Sequence, residues 1–228
     1  MEHIVELNNV DKVYPGAVET QALFDINLKI EESSFCSLVG ESGSGKSTLM
    51  NIIGTLDTAT RGNVVINGTQ TDRLDRNRLA KLRNETIGFV FQFHYLLPEF
   101  TAMENVLMPY IIKNGKAEKE ILQRADELFE FVGISKIKNN LAPNMSGGQQ
   151  QRTAIVRALI NNPKIILADE PTGNLDSETT ATVYRIFREL NDRFRTTFII
   201  VTHDRKIAEQ TDRIIEIKDG KIAMDIRK

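Results

Sequence analysis

The chain has 228 residues, with 29 Lys+Arg against 31 Asp+Glu, a formal net charge of −2 and 41% apolar residues. This composition excludes a disordered chain, and one cysteine excludes a disulfide scaffold. The balanced charge leaves no global basic field, so nucleic acid is not an expected partner. Apolar stretches such as Ile165–Ala168 and Phe198–Val201 fall far short of the ~18 residues of a spanning helix. The start, Met1-Glu2-His3-Ile4-Val5-Glu6, carries acid where a secretory signal carries base. The expectation is one cytoplasmic domain over residues 1–228 that reaches a membrane only through a partner and makes no direct lipid contact.

Ile4–Tyr14 and Leu23–Ile30 are rich in branched apolar residues and are separated by Pro15-Gly16, which predicts antiparallel strands. Phe35–Val39 is apolar throughout and ends in a glycine-rich turn, after which Thr48–Ile53 has helical character. Cys36 lies inside that run and reads as a small buried hydrophobe. Between about residues 93 and 160 the pattern becomes helical. It starts with the capping box Thr101-Ala102-Met103-Glu104 and includes an apolar stripe, Ile121, Leu122, Ala125, Leu128, Phe129 and Val132, closed by Gly133. Ile165–Ala168 and Thr197–Val201 are two more apolar runs, on either side of a predicted helix over Ser177–Arg193. Strands apolar on both faces with helices between them predict an α/β fold built on a parallel sheet, with an antiparallel β unit before it and a helical insert within it.

Gly40-Glu41-Ser42-Gly43-Ser44-Gly45-Lys46-Ser47 satisfies G-x-x-x-x-G-K-[ST] between a predicted strand and a predicted helix. The glycines let backbone N–H groups turn toward a phosphate, the helix adds its positive end, Lys46 reaches the β and γ phosphates, and Ser47 ligates magnesium. Ile165-Ile166-Leu167-Ala168-Asp169-Glu170 is a strand ending in two carboxylates. Alternation sends successive side chains to opposite sides, so Asp169 can serve magnesium while Glu170 serves the attacking water. Alone, the same pair is also what a solvated acidic turn before Pro171 looks like. Ser146-Gly147-Gly148-Gln149 precedes a helical stretch and by itself reads first as an N-cap with a flexible entry. With one phosphate loop already surrounding one nucleotide, its simplest phosphate-binding use is toward a site on another subunit.

Together these motifs, in this order and over essentially the whole chain, resemble the ATP-binding subunit of ATP-binding-cassette (ABC) transporters. The resemblance makes Gln92, in Phe89-Val90-Phe91-Gln92, the Q-loop glutamine that contacts magnesium and water. It makes Ser146, Gly147, Gly148 and Gln149 the signature, Asn174-Leu175-Asp176 the D-loop, His203 the switch histidine and Tyr14 the aromatic that stacks on adenine. Without it, Tyr14 is equally a strand-end packing residue and His203 a polar strand terminus. Met145 stands where the family usually has leucine, a volume-conserving change.

The resemblance implies a P-loop NTPase core and a head-to-tail homodimer enclosing two ATP molecules with Mg2+. One protomer supplies Tyr14, Gly40, Glu41, Ser42, Gly43, Ser44, Gly45, Lys46, Ser47, Thr48, Gln92, Asp169, Glu170 and His203, and its partner supplies the signature and D-loop. Glu170 is the implied base, with Lys46, Gln92 and His203 assisting; Ser47, Gln92 and Asp169, the last through water, hold the metal. The chain is most similar to the short subunits serving lipoprotein-release, macrolide-export and antimicrobial-peptide-export permeases. A permease of four spans with an extracytoplasmic domain is the implied partner on the inner face of the cell membrane. It is expected to dock on the apolar segment after Gln92, from Phe93 to Tyr110. A regulator of the cell-division type, controlling envelope enzymes without transport, is the alternative. A P-loop kinase or GTPase leaves Gln92 and the signature unexplained.

Overall fold

The computed structural model describes residues 2–16 and 19–228; Met1, Ala17 and Val18 lie outside the described residues. The chain begins with β1 (His3–Tyr14) and β2 (Thr20–Glu31), an antiparallel pair as predicted, followed by β3 (Phe35–Val39) and α1 (Lys46–Ile53). Then come β4 (Arg61–Ile66), β5 (Thr69–Gln70), α2 (Arg76–Thr86) and β6 (Ile87–Phe91). Three helices follow: α3 (Ala102–Asn114), α4 (Lys119–Phe131) and α5 (Gly147–Leu159). The chain closes through β7 (Ile165–Asp169), α6 (Ser177–Phe194), β8 (Thr197–Val201), α7 (Arg205–Ala208), β9 (Arg213–Lys218) and β10 (Lys221–Arg227).

The strands form two sheets. One is antiparallel in the order β2-β1-β4-β5; the other runs β10-β9-β3-β8-β7-β6, parallel except for the antiparallel edge pair β9–β10. Alternation along the central strands divides the core in two. Ile165, Leu167, Ile199 and Val201 face the antiparallel sheet and α1, whereas Ile166, Ala168, Phe198 and Ile200 face the helices on the other side. Both faces are covered, which is why these strands read as unbroken apolar runs.

Local signals account for the helix ends. Thr101 and Glu104 complete the predicted capping box of α3, and Gly133, at φ +71°, follows α4 in the left-handed conformation that favours glycine. In the α4 stripe Ile121, Ala125, Leu128, Phe129 and Val132 are buried, but Leu122 is 40% exposed. One step from Ile121 is a rotation of about 100°, which carries Leu122 off the packed face. Cys36 is fully buried, and burial pushes its thiol up to about 12.

Candidate active site

Four parallel strands end on one edge of the sheet, and each delivers one predicted motif. β3 leads into Gly40, β8 into Thr202-His203, β7 into Asp169-Glu170 and β6 into Gln92. The register pairs Leu38 with Val201, Asp169 with Val201 and Phe91 with Asp169, so the strands finish level. Ligands of open parallel sheets bind at this carboxyl edge.

The loop between β3 and α1 is shaped by its glycines. Gly43 and Gly45 have φ of +78° and +107°, and a Cβ at Gly45 would lie 2.8 Å from the Ala22 carbonyl oxygen. No side chain caps the first turn of α1, so its amide groups are not taken up by a capping oxygen. The Lys46 ammonium donates to the carbonyls of Gly40 (2.9 Å) and Glu41 (2.7 Å), folding over the loop. Ser44 Oγ is buried without a hydrogen-bond partner, a donor suited to a phosphate oxygen. The loop thus fits an anion cradle.

Beside it, burial and the neighbouring Glu170 charge raise the Asp169 carboxyl above its usual range, while Lys46 acts in the opposite direction. Glu170 Oε1 lies 2.8 Å from His203 Nδ1, joining the ends of β7 and β8. Glu170 has φ +46°, a conformation that costs a non-glycine residue energy and is held here by its N–H bond to Val201 O (3.0 Å). Gln92 Nε2 donates to Asn174 Oδ1 (3.2 Å), linking the end of β6 to the turn before α6. Among the described residues no group of three or more His, Cys, Asp and Glu could hold a metal. Ser47, Gln92 and Asp169 instead offer a hydroxyl, an amide and one carboxylate, an oxygen set of the kind magnesium takes alongside substrate phosphates.

Tyr14 sits at the end of β1 with its hydroxyl donating to Asp57 Oδ2 (2.9 Å). Lys12 Nζ bonds Asp57 Oδ1 (2.6 Å) and lies 4.7 Å from the Tyr14 ring centroid. The sequence assigns Asp57 no role in the site, because the partners that reveal one, Tyr14 and Lys12, are 43 and 45 positions away.

Ser146 caps α5 in a complete capping box with Gln149, so both features first read there, cap and signature, occupy one turn. Among the described residues no hydrogen bond joins Ser146–Gln149 to the phosphate loop. The signature turn packs instead on the start of α6: a Cβ at Gly148 would lie 2.8 Å from Thr179 Cγ2, and Asp176 caps α6 through the N–H groups of Glu178 and Thr179. Residues 146–149 and the turn before α6 therefore pack against one another, with Leu175 and Thr179 against the two glycines.

The chain matches the ABC transporter family over residues 23–173. It belongs to that family. A lipoprotein-releasing system ATP-binding protein, LolD 1, of Rhodopseudomonas palustris is 48% identical over 225 residues, covering 98% of this chain and 100% of that protein. A LolD protein of Anaeromyxobacter dehalogenans is 47% identical over 222 residues, covering 97% and 93%. The ATP-binding cassette MJ0796, solved as a dimer in a post-hydrolysis state with ADP and Pi, superimposes with a TM-score of 0.89 at 44% identity over 98% of each chain. CbiO1 of Clostridium perfringens, part of the ABC transporter complex cbiONQ, gives 0.89 at 26% identity, covering 100% of this chain and 89% of that one. The architecture is that of an ABC ATPase, as its P-loop core, antiparallel sheet and inserted helices imply, and the chain is an ATPase.

The chain also carries an apolar cleft of about 640 Å³, lined by Leu56, Phe89, Phe91, Pro109 and Ile112 together with Lys81 and Lys113. The expected docking segment after Gln92 divides around it. Phe93 and Tyr95 are 62% and 65% exposed, whereas Val106 and Leu107 are core. Leu56, Phe89 and Phe91 precede Gln92 in the chain, and only the fold brings them to the cleft beside Pro109 and Ile112. Among the described residues no helix is long and apolar enough to cross a membrane.

Proposed function

We propose that this chain hydrolyses ATP to power a separate membrane permease in lipoprotein release, working at the inner face of the cell membrane as one half of an ATP-closed homodimer. The observation that carries the reading is the Glu170–His203 bond at the sheet edge between the phosphate loop and Asp169. Near-half identity over 93–100% of the length of lipoprotein-releasing ATP-binding proteins supports the choice of cargo.

In this reading residues 40–48 enclose the triphosphate of ATP, Lys46 neutralises charge developing on the γ-phosphoryl group, and Tyr14 stacks on adenine. Ser47 and Gln92 would hold magnesium, with Asp169 through water, and the ion would supply charge neutralisation at the phosphate oxygens. Glu170 accepts the proton of the attacking water, and His203 holds the Glu170 carboxylate in place while reaching the γ-phosphate. Ser146, Gly147, Gly148 and Gln149 act on the partner protomer's nucleotide, so closure depends on ATP and is released by hydrolysis. Residues 93–160 form the helical unit through which the permease is moved. A permease helix occupies the Phe89–Phe91–Ile112 cleft against the exposed Phe93 and Tyr95, consistent with an apolar patch of interface type.

The test is reconstitution with the permease that co-purifies. ATP-dependent transfer of a membrane-anchored lipoprotein to a soluble acceptor supports the reading. ATP hydrolysis that is stimulated by the permease without any such transfer refutes the cargo and favours a signalling complex.

A further inference from the structure

One buried amide on α5 is bonded to two functional segments at once, the stretch around Gln92 and the turn after Glu170. Gln151 is 0% exposed, and an amide in that position costs free energy unless its polar atoms are bonded. Its Nε2 donates to Pro171 O (2.5 Å) and reaches Phe91 O (3.5 Å), while its Oε1 faces His94 Nδ1 at 2.6 Å. Both neighbours of the nitrogen are carbonyl oxygens, so the amide has one workable orientation, and His94 must donate from Nδ1. Pro171 directly follows Glu170, Phe91 directly precedes Gln92, and His94 lies just beyond it. Further along α5, Arg157 donates to the carbonyls of His94 (2.7 Å) and Tyr95 (2.6 Å), fastening the same stretch a second time.

We propose that Gln151, held by the His94 donor, is a positioning residue for ATP hydrolysis: it fixes the turn that carries Glu170 in register with the end of β6 and with the helix that begins at the signature. The inference rests on Glu170 being the base. Glu170 sits in a left-handed conformation that persists only where its surroundings fix it: its N–H donates to Val201 O, its carbonyl accepts from Gly173 N–H, and Gln151 holds the Pro171 carbonyl one residue further along the turn. Freed from Gln151, the turn relaxes and the carboxylate leaves the line of attack, whereas the phosphate loop keeps its contacts.

The test is steady-state ATP hydrolysis by the full chain carrying Gln151→Met, which conserves volume but makes none of these bonds. It is run beside His94→Leu, which removes the donor, and His94→Asn, whose amide N–H stands where Nδ1–H stood. Gln151→Met is expected to lower kcat about tenfold or more with KM for ATP nearly unchanged. His94→Leu lowers kcat as well, His94→Asn restores most of it, and His94→Leu adds little on top of Gln151→Met. A folded Gln151→Met with unaltered kcat, or with KM raised as far as kcat falls, overturns the proposal. So does His94→Asn behaving like His94→Leu, a comparison that stands even where Gln151→Met does not fold. Full turnover by Glu170→Gln would instead remove the base assignment on which the inference depends; an inactive Glu170→Gln beside a normal Gln151→Met refutes the positioning role alone.

Discussion

Glu170→Gln separates binding from chemistry at this site. The amide conserves shape and keeps an oxygen where Oε1 accepts from His203 Nδ1 at 2.8 Å, so the join between β7 and β8 survives. Two things are lost: the negative charge and the ability to take a proton from water. Removing a positioned general base costs about 10²–10⁴-fold in turnover, or about 2.7–5.4 kcal/mol of barrier at 1.36 kcal/mol per factor of ten. Because the Glu170 charge helps to raise the Asp169 carboxyl, its removal favours ionised Asp169 and hence magnesium and ATP binding. The variant is therefore expected to bind ATP and to accumulate a closed dimer. Phosphate release measures turnover, and size-exclusion chromatography with light scattering, with and without ATP and magnesium, measures assembly. Turnover within about fivefold of the unaltered chain refutes the base assignment, and a variant that stays monomeric with nucleotide bound refutes the composite site.

Ser146→Arg should abolish turnover while its own phosphate loop still binds nucleotide; unchanged turnover removes the signature from the partner's site. Asp57→Ala frees both Tyr14 and Lys12, so KM for ATP should rise about fivefold with kcat less affected, and an unchanged KM separates Tyr14 from base binding. A Cβ at Gly88 would run into the Ala158 carbonyl and lie 2.6 Å from Ile166 Cδ1; Gly88→Ala should cost about 1–3 kcal/mol and lower Tm by about 2–12 °C, and calorimetry showing no loss contradicts the close packing of α5 on β6. Arg213 donates to both oxygens of Asp225 and holds its carboxyl below the ordinary 3.8. That stability is fully present above 3.8 and is lost as pH falls through the lower folded value, so Asp225→Asn should flatten the acid end of a stability–pH curve; an unaltered acid limb refutes the pairing.

Much of this was legible along the chain because it is local. A phosphate loop, a strand that ends in two acids, a capping box and an apolar run each involve contiguous residues whose spacing is itself the physical requirement. β1, β2, β3, β7, β8 and α6 were readable for the same reason, since burial on both faces or one face leaves its period in the sequence. The strands β4, β5, β9 and β10 were not read, and Leu122 shows that helical spacing alone misplaces a residue at the border of a stripe.

What only the tertiary structure decided is adjacency. The order β3-β8-β7-β6 puts His203 beside Glu170, 33 positions earlier, and no spacing rule contains that neighbour. Asp57 beneath Tyr14, Gln151 among Phe91, His94 and Pro171, and the cleft behind Phe89 are of the same kind. Types and periods of residues determine which elements form and what chemistry each end can offer. Which ends meet is set by how the sheet orders its strands, because hydrogen-bonded pairing joins segments far apart in the chain and the side chains that complete the site come from whichever strand lies next door.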